Sequence, residues 1–249
     1  MSLKSANLTR QLSITAVFTA LVCIATISFT VYVPSTKGYF NIGETMVYTA
    51  ALLFGPFVGA FAGGVGSMLA DVFLGYYYYA PATLVIKASE GLLVGFISRK
   101  GQVFARSYVK REWRIFTIEI GILVGMLISL IGFLYYSGLV ELYSGIVSIE
   151  NPASTVFVPV EFWFGIGILT VILVTVLALT SEPDFSLTMI ACIFGGLLMV
   201  FGYFLYEQLF LGVFAFAEVP INIGQMTVGL IIAAPIVRIA KQTLPQLKS

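Results

Sequence analysis

Along most of this chain apolar residues run together in long blocks, interrupted by short polar segments, instead of alternating with polar ones. A helix needs about 20 apolar residues to cross the hydrocarbon core of a bilayer, with a range of roughly 17–25. Measured that way, the blocks are Leu12–Val33, Gly43–Leu74, Ala82–Ser98, Ile115–Tyr136, Glu161–Thr180, Leu187–Leu211 and Val219–Ile239. Gly43–Leu74 is too long for one span and contains "FGPFVG". There Gly55-Pro56 stops one helix and starts the next, the first being short. The pattern predicts eight spans in an all-α polytopic membrane bundle, residues 1–249 forming a single transmembrane domain with both termini on one side.

Composition points the same way. Hydrophobic residues make up 59% of the chain and charged residues 10%, with a mean hydropathy of +1.01. Soluble domains carry about 25% charged residues, so a multi-pass protein of the cell membrane is expected, with the lipid bilayer as its solvent. The N-terminal apolar run exceeds a signal peptide's core and lacks a clear cleavage site, so it is read as a span. Basic residues orient the bundle. Eleven of the thirteen fall on one side: Lys4, Arg10, Arg99, Lys100, Arg106, Lys110, Arg111, Arg114, Arg238, Lys241 and Lys248. The positive-inside rule makes that side, and both termini, cytoplasmic. The Arg99–Arg114 cluster is then a topogenic signal, with headgroup binding as the alternative. Opposite loops hold Lys37, Glu141, Glu150 and Glu218.

With that orientation the intramembrane polar residues share one depth. Glu44, Asp71, Lys87, Glu90, Glu207, Glu218, Asn222 and Gln225 all fall in the outer half. A charge at the bilayer centre costs about 2.5–3.5 kcal/mol on insertion scales, so it faces the bundle interior and marks a site. Lys87 and Glu90 are one turn apart on a helix; they form a self-neutralising structural pair, with Asp71 as a further partner, or they grip a ligand. Tyr76–Tyr79 just before them make an interfacial belt or a stacking wall. "NIGETM" (Asn41–Met46) and "NIGQM" (Asn222–Met226) each read as opening a helix with Asn at the cap, its amides directed outward, or as a chance likeness. The candidate ligand-binding set is Tyr39, Asn41, Glu44, Asp71, Tyr78, Tyr79, Lys87, Glu90, Glu218, Asn222 and Gln225.

Other features are structural or absent. Gly55, Gly59, Gly63 and Gly66 make a face along which helix backbones approach closely, and Ala16 and Ala20 a smaller one. Cys23 and Cys192 sit in apolar runs and read as buried hydrophobes. The chain has no His, which removes the commonest metal ligand and general base. No P-loop, H-E-x-x-H or G-x-S-x-G pattern occurs, so the chain carries no P-loop ATPase and no marked hydrolase site. Neither a metal, a cofactor nor a nucleic-acid partner is expected.

The runs "AALLFGPFVGAFAGGVGSMLAD" and "APATLVIKASEGLLVG" within Gly38–Lys100 resemble the S components of energy-coupling factor (ECF) vitamin transporters, in their riboflavin-transporter-like branch. "GYFLYEQLFLG" with "AEVPINIGQ" (Gly202–Gln225) is similar to that family's last two helices, and Ala16-x-x-x-Ala20 to its first-helix coupling motif. The resemblance implies a non-enzymatic subunit that binds a B-vitamin or related micronutrient at its outer face. It implies docking through Ala16 and Ala20 on a transmembrane coupling protein that carries two ATP-binding subunits. It also implies a six-helix core, 12–98 and 187–239, with 115–180 as an inserted helix pair. The rival reading is a self-sufficient proton-coupled carrier using Asp71, Glu90 and Lys87, for which polar residues should run through the full membrane depth.

Overall fold

The first apolar run does not stay helical to its end. In the computed structural model, which describes residues 3–33, 38–105, 110–135, 137–142, 154–180 and 183–244, α1 (Leu3–Ser28) stops five residues before Val33. Thr30–Val33, a run of β-branched and aromatic residues suited to a pleated strand, forms β1 and pairs antiparallel with β2 (Gly38–Asn41). Tyr32 faces Tyr39 across this hairpin and Thr30 faces Asn41. The hairpin end of the bundle is therefore partly built of strand. The opposite, basic end carries Arg10, Arg99, Lys100 and Lys241.

The rest is helical: α2 (Glu44–Phe54), α3 (Pro56–Leu74), α4 (Ala80–Ala105), α5 (Lys110–Tyr135), α6 (Val160–Thr180), α7 (Pro183–Gln208) and α8 (Glu218–Thr243). A second hairpin, β3 (Gly138–Leu142) with β4 (Ser154–Val158), joins α5 to α6, and a short 3-10 helix (Gly212–Ala217) precedes α8. Among the described residues six helices are long and apolar enough to cross a membrane: α1, α3, α4, α5, α7 and α8. The apolar stretches of α2 and α6 are shorter. At 1.5 Å rise per residue α2 is about 16 Å long, roughly half the hydrocarbon core. β2 and α2 in tandem make the descent from the hairpin end to the basic end.

Gly55 ends α2 with φ +88° and hands the chain to Pro56 at the start of α3. It is thus a junction residue and not part of the glycine face expected on α3; the left-handed φ explains why glycine stands there. Arg99 from the end of α4 donates to the Phe54 carbonyl at 2.8 Å, satisfying an orphan acceptor at the C-terminus of α2. The close approach of α3 to α4 is made by Gly59 and Gly91, since a Cβ on Gly91 would overlap the Gly59 carbonyl. Gly63 also faces α4, against the Lys87 carbonyl, whereas Gly66 faces α1 and meets Thr19.

α3, α4, α7, α8 and α2 enclose the centre, with α1 laid against α3. α5 and α6 pack chiefly on each other and touch α7 and α8 at one side. Toward the basic end the centre is apolar, filled by Ala51, Leu52, Val94, Cys192, Leu230 and Ala233 around Tyr48. Cys23 and Cys192 are free thiols and buried, as expected. Lys37, Arg106, Glu150 and Lys248, which contribute to the charge-sorting expectation, lie outside the described residues.

Candidate functional site

Toward the hairpin end the centre is polar instead. A cavity lies there, with about 490 Å³ of empty space when the open region at its mouth is counted. β2 supplies Gly38, Tyr39 and Asn41, and α2 supplies Glu44. Ser67 and Asp71 come from α3 at i and i+4; Thr83 and Lys87 come from α4, in line with Tyr79 just before it. α7 gives Tyr203 and Glu207, again four apart, and α8 gives Glu218, Asn222 and Gln225. Thr26 of α1 completes the lining.

Lys87 sits at the bottom, buried, in an ion pair with Glu44 of α2 and a second with Glu90 at 3.2 Å. The expected pair is therefore a triad spanning two helices, and its nearer acid is Glu44. Asp71 makes no ion pair with Lys87; it accepts a hydrogen bond from the Tyr39 hydroxyl at 2.5 Å. Glu44 also accepts from Gln225 Nε2 at 3.2 Å, and the Gln225 carbonyl accepts from both the backbone and side-chain nitrogens of Asn41, at 3.0 and 2.9 Å. One network thus ties the hairpin, α2, α4 and α8 together at the cavity floor. Tyr79 donates to Glu207 at 3.1 Å and Tyr203 to Thr83 at 3.0 Å. Glu44 Oε1, Asp71 Oδ2 and Glu207 Oε2 are buried without a hydrogen-bond partner.

Burial, reinforced by Asp71, pushes the Tyr39 hydroxyl well above its usual range, and burial beside Glu207 does the same for Tyr79. Both phenols stay protonated and remain donors.

Nine of the eleven candidate binding residues line this one cavity; Tyr78 and Glu90 do not. Glu90 is displaced around α4 because a step of three residues falls about 60° short of a full turn. It points toward α2, where the Tyr48 hydroxyl donates to it at 3.1 Å. The four tyrosines divide between the two roles considered for them. Tyr79 is buried in the cavity wall and Tyr76 stacks on Tyr39 with ring centroids 4.7 Å apart, while Tyr77 and Tyr78 are 68% and 48% exposed. Gly75, left-handed at the end of α3, sets this split by turning the chain back toward α4.

The two Asn motifs are not equivalent. Asn41 precedes the N-cap of α2, which is Gly43, and its side-chain carbonyl accepts the Gly43 N–H at 2.9 Å. Asn222 is not a cap at all, since α8 begins at Glu218. Pro220 explains the earlier start, because proline fits a first turn, where its missing N–H is no loss.

Thr26, Gly38, Ser67, Thr83, Tyr203 and Glu207 line the cavity beyond the candidate set. Spacing could have found three of them: Ser67 stands four before Asp71, Thr83 four before Lys87 and Tyr203 four before Glu207.

A family model described as the S component of ECF-type riboflavin transporters matches residues 6–182. An uncharacterised protein from Pyrococcus woesei is 35% identical over 141 residues, covering 51% of this chain and 87% of that protein. The thiamine precursor transporter HmpT of Lactococcus lactis is 26% identical over 127 residues, covering 51% of this chain and 69% of its own length. The family match ends before α7 and α8, which supply five of the fifteen cavity-lining residues.

Proposed function

The chain belongs to the family of ECF-type riboflavin transporter S components, membrane-embedded subunits that bind substrate for vitamin transport, and we propose that the cavity at its hairpin end is where the ligand is held. The single observation that carries this is the lining of the cavity, walled by tyrosines and floored by a buried hydrogen-bonded charge network. In this reading the hairpin end faces outside and the basic end the cytoplasm, following the positive-inside rule. The ligand is a B-vitamin or a related micronutrient, a class supported by the name of the thiamine precursor transporter among the relatives. Tyr39, Asn41, Glu44, Asp71, Tyr79, Lys87, Glu218, Asn222 and Gln225 contact it, with Glu90 holding Lys87 from behind.

Uptake is then driven by a separate module, a transmembrane coupling protein with two ATP-binding subunits. Ala16 and Ala20 are exposed on α1, in its middle stretch, and suit close approach of a partner helix. The 115–180 segment, which holds α6 and all but the start of α5, is an addition to the six-helix core. The apolar packing between Glu90 and the basic end favours a capture subunit over a self-sufficient proton carrier, which needs polar groups across the whole depth.

The test is to purify the full chain in mild detergent, identify co-purifying small molecules by mass spectrometry, and titrate the stripped protein with them in a calorimeter. A vitamin or vitamin precursor binding with a stoichiometry near one supports the reading. A folded protein that retains and binds none overturns it.

A further inference from the structure

We infer that the ligand is a flat nitrogen heterocycle carrying positive charge, held by the Asp71 and Glu207 carboxylates among the tyrosine rings of the cavity wall. The inference rests on the cavity being the vitamin site and narrows its ligand by charge.

Lys87 is the cation of the cavity lining, and its ammonium is already engaged by Glu44 and Glu90. Asp71 and Glu207 make no ion pair among the described residues. Each has a phenol on one oxygen, Tyr39 at 2.5 Å and Tyr79 at 3.1 Å, and a second oxygen that is buried and unpartnered. The residues are 3% and 1% exposed, so water does not serve those oxygens freely. An isolated carboxylate out of water is costly unless a donor or countercharge meets it. A ligand with cationic N–H groups, or a ring cation flanked by an amino group, supplies both.

A ligand carboxylate or phosphate would instead meet two acids that have no ion-pair partner among the described residues, and an ammonium already shared between two others. Like charges brought together in a desolvated site repel strongly. An uncharged ring could donate hydrogen bonds but would bring no countercharge to either acid.

The rings point the same way. Lys87 Nζ lies 5.9 Å from the Tyr203 ring centroid, so one face of this cavity already receives a cation. Tyr79 lies next to Tyr203, with centroids 6.4 Å apart, and both line the cavity. Glu207 and Tyr203 belong to α7, beyond the family match. The riboflavin of the family description therefore says nothing about the charge these two residues select.

The experiment is titration calorimetry on the full chain in detergent with four probes: thiamine, a ring cation; 3-deazathiamine, its uncharged isostere; riboflavin, flat and uncharged; and biotin, a carboxylate. Thiamine should bind at least tenfold tighter than each of the others. Asp71→Asn and Glu207→Gln should each weaken thiamine at least tenfold and shift 3-deazathiamine less than threefold. If either variant fails to fold, the four-probe comparison on the unaltered chain still decides. Riboflavin or biotin bound in preference, or thiamine and its isostere bound alike, overturns the charge inference and leaves vitamin capture standing. A folded protein that binds none of the four overturns this inference, and if it also retains no vitamin on purification the capture reading falls with it.

Discussion

Replacing Lys87 with Met tests the cavity floor most directly. The ammonium is the countercharge for two carboxylates, Glu44 and Glu90, each no more than 1% exposed. Removing one partner of a buried ion pair typically costs about 3–5 kcal/mol, because the remaining charge is left without compensation. For chains of this size each kcal/mol moves the melting temperature by about 2–4 °C, so Lys87→Met should melt roughly 6–20 °C lower. The double variant Lys87→Met/Glu90→Gln should recover only part of that, since Glu44 keeps its charge and only the Gln225 amide at 3.2 Å to offset it. Adding Glu44→Gln neutralises the triad while keeping acceptors for Tyr48 and Gln225, and should restore most of the loss. Melting curves of the four proteins in one detergent, followed by tryptophan fluorescence, measure the series. A Lys87→Met protein within about 2 °C of the parent, or a triple variant no better than the single, would refute the triad as the balancing unit.

Three other outcomes are expected. Ala16→Trp or Ala20→Trp should abolish uptake into cells supplying an energising module while leaving ligand affinity within twofold, because both side chains are exposed and an indole blocks helix approach; unchanged uptake would remove α1 from the coupling surface. Gly91→Ala should lower stability by about 1–3 kcal/mol, since its methyl group would overlap the Gly59 carbonyl of α3, and an unaltered melting temperature would contradict that. In intact cells, a membrane-impermeant thiol reagent should label Tyr77→Cys from outside and Lys100→Cys only after permeabilisation, the native Cys23 and Cys192 being buried; labelling of both from one face would overturn the orientation.

Helices were legible wherever a long apolar block met a glycine or proline stop, as at Gly55-Pro56, because bilayer thickness and backbone sterics act locally. The hairpin was not. Thr30–Val33 is as apolar as the helix before it, and what makes it a strand is pairing with Gly38–Asn41, a partner that hydropathy does not reveal. The site was legible to the extent that charge in an apolar run must be explained. Asp71, Lys87 and Glu44 announced themselves, and depth grouped them correctly. Rotation about the helix axis was harder. Lys87 and Glu90 look equivalent one turn apart, yet the offset between them puts one in the cavity and the other behind it. A neutral lining residue such as Thr26 gave no signal of its own, because threonine in a membrane helix commonly bonds its own backbone, as Thr26 does to the Val22 carbonyl.

The division of the bundle into a polar half and an apolar half bears on how such a subunit must work. The hydrogen-bonded chain from the hairpin runs through Asn41, Gln225, Glu44, Lys87 and Glu90 and reaches Tyr48. Around Tyr48 begins the packing of Leu52, Val94, Met189, Cys192 and Leu230. A ligand in the cavity therefore faces close-packed side chains toward the basic end, and interiors of that kind do not part without losing their contacts. In the proposed orientation, release to the cytoplasm requires that the bundle move as a body or that its helices separate, and either step takes free energy that ligand capture alone does not supply. An external ATP-driven module meets that requirement. The exposed small residues on α1 and the weak attachment of the α5–α6 pair to the other helices leave one flank of the core open to it.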